Sequence, residues 1–172
     1  MTNIVPFRQG DMSGKRESAV EDAKVQGALY GGIRQRLYAL QEAVGTLPEV
    51  DCPLQHVFAP GAYARTIFIP AGTVIVGKIH KHAHLNILSQ GVVLVTTETE
   101  GDRQLVGPLT MVSPPGTKRA VHALTDVVWT TIHLTNETDL TKIEDEVIAK
   151  TFEEYEQFRL QEETMKQIEV TA

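Results

Sequence analysis

Cysteine is almost missing from this chain of 172 residues. Cys52 stands alone, so no intramolecular disulfide framework is available, and a reducing compartment suits it. Long apolar runs are missing too. The apolar run Tyr63 to Lys78 is interrupted by Arg65, Pro70 and Gly72, and nothing approaches the ~18–20 apolar residues of a membrane span. The amino terminus, MTNIVPFRQGDMSGKRES, has no apolar signal core, which points to the cytoplasm rather than to export. Aromatic residues make up 6%, and no cluster of Lys and Arg forms the basic stripe that a nucleic-acid binder needs. Walker A, G-x-G-x-x-G, G-x-S-x-G and His-Glu-x-x-His sequences are absent. Glu98, Glu100 and Asp102 read as a hairpin tip rather than a catalytic carboxylate pair.

What is present is an ordinary globular composition, 42% hydrophobic and 22% charged, of a length for one domain with a sizeable core. The net charge of −6 is unevenly placed. From His133 onward, eleven Asp and Glu stand against four Lys and Arg, a balance of −7, which leaves about +1 for the first 132 residues. Such an acidic tail is expected to be a solvated helical face.

The chain divides by pattern. Residues 1–16 are polar, with Gly10 and Gly14, and read as a flexible arm. Residues 17–48 form a helical extension: Leu29, Ile33, Leu37, Leu40 and Val44 share one face, and Gly45 and Pro48 end the helix. Residues 50–135 are β-rich, with strands expected at 56–59, 64–69, 73–79, 85–88, 92–97, 104–106, 110–112, 120–123 and 127–134. Gly and Pro breaks separate them, and no helix intervenes, which indicates an antiparallel sandwich or barrel. Residues 138–168 return to helix. Asp139 is placed to cap a turn bearing Leu140, Ile143, Val147 and Ile148 on one side, and Thr151 with Glu154 forms a capping box for a second helix. Apolar helix faces and open sheet edges predict a homo-oligomer, a dimer or larger.

Three of the six histidines lie within five residues, at His80, His82 and His84. In a strand all three point to one face. Alternate residues are ~6.6 Å apart and the outer pair ~13 Å, so three imidazoles share one ion only if the chain bends near Ala83. Imidazole suits a divalent transition metal, and the expected cofactor is Zn, Fe, Ni or Mn.

At these residues the sequence resembles the cupin superfamily, RmlC-like jelly-roll barrels of the double-stranded β-helix type. The first cupin motif reads Gly, five residues, His-x-His, three or four residues, Glu, six residues, Gly. Gly72, Lys78, His80, His84 and Gly91 stand at those spacings. In the second motif Gly107 is followed, with one extra residue, by Pro114-Pro115-Gly116, and Arg119 occupies the histidine position. The resemblance covers about residues 55–135 and implies a mainly β barrel with helical N-terminal and C-terminal extensions.

Two registers follow from it. In the strict one, the ligand positions fall to Lys78, His80, His84 and Arg119, and two cations favour an anionic ligand over a metal. In the other, His80 and His82 are the pair, His84 replaces the Glu, and His133 or His122 supplies a fourth ligand. The second accounts for three histidines and is preferred. Asn86, two residues beyond His84, and Trp129 are then candidates for facing a small anionic ligand, with Lys78, Arg119 and His122. The resemblance allows dioxygenase, isomerase, decarboxylase or lyase chemistry without choosing, or no catalysis. Two other readings stand beside the metal one. The chain also resembles, more loosely, small cupin-like proteins encoded by bacteriophages, which implies a structural part in a phage assembly or virion. The strict register, with Lys78 and Arg119, implies a metal-free binder of a sugar, a nucleotide or another anion.

Overall fold

Val, Ile, Thr and aromatic residues alternating between Gly and Pro breaks become strands through most of 50–135. The computed structural model describes residues 31–171. The expected arm and the first part of the N-terminal helix, with Leu29, lie outside the described residues. Helix α1 covers 31–45. The strands that follow are β1 (Leu54–Ala59), β2 (Ala62–Ile69), β3 (Val74–Val76), β4 (Ile79–His80), β5 (His84–Gln90), β6 (Val92–Thr97), β7 (Gly101–Val106), β8 (Leu109–Ser113), β9 (Arg119–Ala123) and β10 (Val127–His133). Helix α2 (Leu140–Val147), strand β11 (Ile148–Ala149) and helix α3 (Phe152–Thr171) complete the order.

Two antiparallel sheets face each other, one ordered β1-β2-β10-β5-β8 and one ordered β3-β9-β6-β7. From β5 onward the chain passes to the other sheet after β5, after β7, after β8 and again after β9. This alternation is what makes the barrel a double-stranded β-helix. Its core lies between the sheets, with Ile69, Leu88, Val127 and Trp129 from one meeting Val93, Val95 and Val121 from the other. Each such side chain contributes ~1.5–3 kcal/mol when fully buried. The passage after β5 turns at Gly91, whose φ of +100° suits glycine, and where a Cβ would stand 2.4 Å from the Asp126 carbonyl oxygen.

The expected single strand over 73–79 is two strands, β3 and β4. Gly77 separates them: its N–H donates to the Arg119 carbonyl at 2.9 Å, and its missing side chain admits the Arg119 stem, whose Cγ would lie 3.3 Å from a Cβ. Strand β4 then leaves the barrel sheets and pairs with β11, in register Ile148↔His80 and Ala149↔Ile79. Ile148, expected on a helix face, therefore sits in a strand.

The helix caps follow the sequence closely. The Asp139 carboxylate accepts from the N–H groups of Thr141 and Lys142. Thr151 Oγ1 accepts from Glu154 N–H at 3.2 Å, while the Glu154 carboxylate returns to Lys150 N–H at 2.9 Å. Helix α1 docks through Leu37, Tyr38 and a buried ionic group. The Arg34 guanidinium lies 3.2 Å over the Phe152 ring and pairs with Glu98, whose other oxygen accepts from Lys118 N–H. No described helix is long and apolar enough to cross a membrane.

Candidate metal and ligand site

The inner face of the five-stranded sheet is set by register. Tyr63 stands opposite His133, and Arg65 opposite Thr131, which is itself opposite Asn86; His84 stands opposite Ser113. These rows point a block of polar side chains into the barrel. With α2 across one end, all of them but Ser113 line a cavity of about 620 Å³.

Between β4 and β5 the chain bends at Lys81 and His82. The bend is tied down on both sides. Lys81 N–H donates to the Val147 carbonyl at 2.8 Å, Lys81 Nζ donates to the Asp145 carbonyl at 2.8 Å, and the His80 carbonyl accepts from Gly116 N–H at 2.8 Å. Gly116 is required there: its φ is +74°, and a Cβ would meet the Tyr155 ring at 2.3 Å. The bend brings the outer two histidines together and turns the middle one away. His80 and His84 have ring centroids 4.0 Å apart, and His133 lies 5.0 Å from the first and 5.1 Å from the second. One nitrogen from each of the three falls within 4.8 Å of the others. His82 is exposed and meets the edge of Phe158 on α3, so it is not part of this group.

Burial governs the charge of the cluster. Desolvation first, then the neighbouring His84, His133 and arginines, push His80 down from its ordinary 6.5 to about 2. Desolvation and the other histidines push His133 down to about 4. His84 is lowered mainly by burial. All three imidazoles are neutral at pH 7, the form that ligates metal. His84 Nδ1 lies 3.2 Å from the His82 carbonyl oxygen, a contact that assigns the proton to Nδ1 and leaves Nε2 as the ligating atom. His80 Nδ1 is buried with no hydrogen-bond partner. A tetrahedral ion with bonds of ~2.1 Å needs nitrogens ~3.4 Å apart, and those of the three histidines lie within 4.8 Å of one another. The donor set therefore fits a three-histidine metal with an open position.

Beside the histidines runs a buried polar chain. Asn86, 2% exposed, accepts at Oδ1 from Trp129 Nε1 at 2.8 Å and from Thr131 Oγ1 at 3.1 Å. Its amide donates to Ser113 Oγ at 2.7 Å, and Ser113 Oγ also accepts from Arg119 Nη2. Arg119 lines the cavity and makes no ion pair with a described carboxylate. Burial lowers its pKa, yet a guanidinium stays charged. Lys78 also lines the cavity, but its ammonium is paired with Glu144 of α2 at an exposed edge. His122 does not line the cavity. It alternates with Arg119 and Val121 along β9 and so faces the outside of the four-stranded sheet.

The cavity also contains groups that the sequence reading passed over. Tyr63 stacks on His133 with centroids 6.4 Å apart, and its hydroxyl lies 2.7 Å from His56 Nδ1. Arg65 follows two residues on. The alternation Tyr63-x-Arg65-x-Ile67 was the available signal, since it places all three on one strand face.

No protein-family model matches the chain, and no curated protein sequence matches it. Solved structures similar to it are cupin superfamily proteins. KdgF from Halomonas sp. is 22% identical over 54% of this chain and 86% of its own, with a TM-score of 0.43. An RmlC-like cupin from Methanocaldococcus jannaschii is 12% identical over 54% of this chain and 94% of its own, with a TM-score of 0.43. Salicylate 1,2-dioxygenase from Pseudoaminobacter salicylatoxidans is 13% identical over 63% of this chain and 31% of its own, with a TM-score of 0.46.

Proposed function

We propose that this chain binds one divalent transition metal through His80, His84 and His133 and holds a small anionic ligand beside it against Arg119. One observation carries the reading. Three neutral imidazoles offer nitrogens within 4.8 Å of one another on the wall of the cavity that Arg119 lines. Imidazole donors suit Zn, Fe and Ni better than Mg or Ca. A bound metal supplies Lewis acidity at its open position. The chain's own groups do the rest. Asn86 and Ser113 hold Arg119 in place, Trp129 and the aliphatic walls exclude water, and Tyr63 backs His133 with a phenol that burial keeps protonated. An anion accepted by Arg119 gains a charge-assisted, bidentate contact in a desolvated setting.

Elemental analysis of the purified, tag-free protein tests the metal. The expected ratio is near one per chain, lost in His84→Ala and His133→Ala and kept in His82→Ala. Arg119→Gln is expected to keep the metal and to weaken phosphate or carboxylate binding by roughly 10–100-fold, the worth of one or two hydrogen bonds from a charged donor. A protein that takes up no metal even on reconstitution sinks the metal reading. Thermal stabilisation by phosphate or carboxylates, abolished in Arg119→Gln, then identifies a metal-free anion binder.

A further inference from the structure

We infer that the outer face of the five-stranded sheet seats a second copy of this chain, packed face to face about a two-fold axis. The pairing registers place residues in rows across all five strands. Val57, Ala64, Ile132, Leu85 and Val112 form one outward row. The next outward row is Gln55, Thr66, Thr130, Ile87 and Thr110. Phe68 and Val128 stand opposite each other in a third. No outward-facing residue of these strands is charged, in a chain that is 22% charged.

The face departs from a solvated sheet in its lack of charge and in its apolar row. An antiparallel sheet with one face in water ordinarily turns its polar residues outward. Here the outer face carries no charge and sets one wholly apolar row beside a row of Gln55, Ile87 and three threonines, while His56, Arg65, His84, Asn86 and His133 point inward beside the core residues. Val112 is 64% exposed, Val57 51%, Leu85 43% and Phe68 39%. The described helices do not cover them: α2 and α3 gather at β11, and Tyr38 of α1 packs at the Ile79–Ala149 cluster. Two of the three hydroxyls in the second row are turned on each other, with Thr66 Oγ1 2.8 Å from Thr130 Oγ1.

Size and charge choose the occupant. Five strands ~4.8 Å apart give a patch about 24 Å wide and about 20 Å long. With side-chain relief, that approaches the ~800 Å² each partner contributes to a standard interface. A face without charge is complementary to itself, and two such sheets pack ~10 Å apart with their rows interdigitated. Residues 1–30, the other candidate cover, carry eight charged side chains from Arg8 to Lys24 and match the face poorly.

Sedimentation velocity of the full chain at tens of micromolar tests the assignment, with Val112→Glu and Thr110→Lys as separate variants on edge strand β8. Far-UV circular dichroism and an unchanged thermal melt at low concentration show that each variant is folded. The wild type is expected at twice the chain mass of 19.0 kDa. Each variant is expected to weaken association at least tenfold. A dimer indifferent to both substitutions overturns the assignment, because another surface then holds it together. A monomeric wild type overturns it too. Protection of the outer-face amides from hydrogen exchange in that monomer would place the chain's own first 30 residues there.

Discussion

His80 occupies a position where protonation and folding compete. Its folded pKa is near 2 and that of His133 near 4, against an ordinary 6.5, with burial the leading cause for both. Below pH 6.5 the unfolded chain takes up protons that the folded chain refuses. Stability is therefore full above about pH 6.5 and falls as the pH drops toward 4. Urea unfolding with a chelator present, at pH 7.5 and pH 5, is expected to show this loss, and His80→Gln is expected to flatten it. Equal stability at both pH values in the wild type would contradict the desolvated cluster. At this scale the sequence was legible where parity alone decides. Alternation with Trp129 and Thr131 put His133 on the inner face, whereas His122, expected beside the ligand, has the parity opposite to Arg119 and faces out. It was not legible at His82. Three alternating histidines look alike in sequence, and only the bend fastened by Lys81 to α2 separates the middle one from its neighbours. His56 and Ser113 carried no spacing signal of their own and gain their place through partners on other strands.

Elements read well where local chemistry fixes them. Asp139 and Thr151 cap their helices as the side-chain spacing indicates. Strand β6 has its expected bounds, Val92–Thr97, because Gly91 precedes it and a hairpin follows. Strand β4 was hidden, since its partner β11 lies nearly seventy residues away and only two residue pairs join them. The loop that supports β4 depends on Gly116. Gly116→Ala is expected to destabilise the fold by about 2 kcal/mol or more, through the left-handed backbone and the collision with Tyr155. Denaturant titration measures it. Glu98→Ala is expected to cost about 2 kcal/mol, because it leaves the buried Lys118 N–H without its acceptor and the half-buried Arg34 guanidinium without its partner. In the same titration, a loss below 1 kcal/mol would mean that α1 holds to the barrel by apolar contact alone.

For the whole molecule, the antiparallel β class followed from Gly and Pro punctuation, and the two-sheet barrel from the absence of helices between strands. The helical ends followed from their 3.6-residue periodicity. The bare outer face was harder to see, because alternation groups Val57, Leu85 and Val112 on one side but does not tell whether a helix covers them. A metal held only by the folded chain adds to global stability by RT ln(1 + [M]/Kd), about 1.4 kcal/mol for each tenfold excess over Kd. Added metal is expected to raise the melting temperature of the wild type and to leave that of His133→Ala unchanged.

The pairing of β4 with β11 also fixes an order of events during synthesis. His80 emerges from the ribosome early, but the strand that holds it is not made until residue 149. His133 and the whole of β10 also arrive late, and β10 is the strand that joins β2 to β5. Strands β3, β9, β6 and β7 are complete by residue 123 and can pair first. A nascent chain therefore presents His80 and His84 to the cellular metal pool without His133 while most of the barrel is made, and completes the group of three only once β10 and β11 have been added.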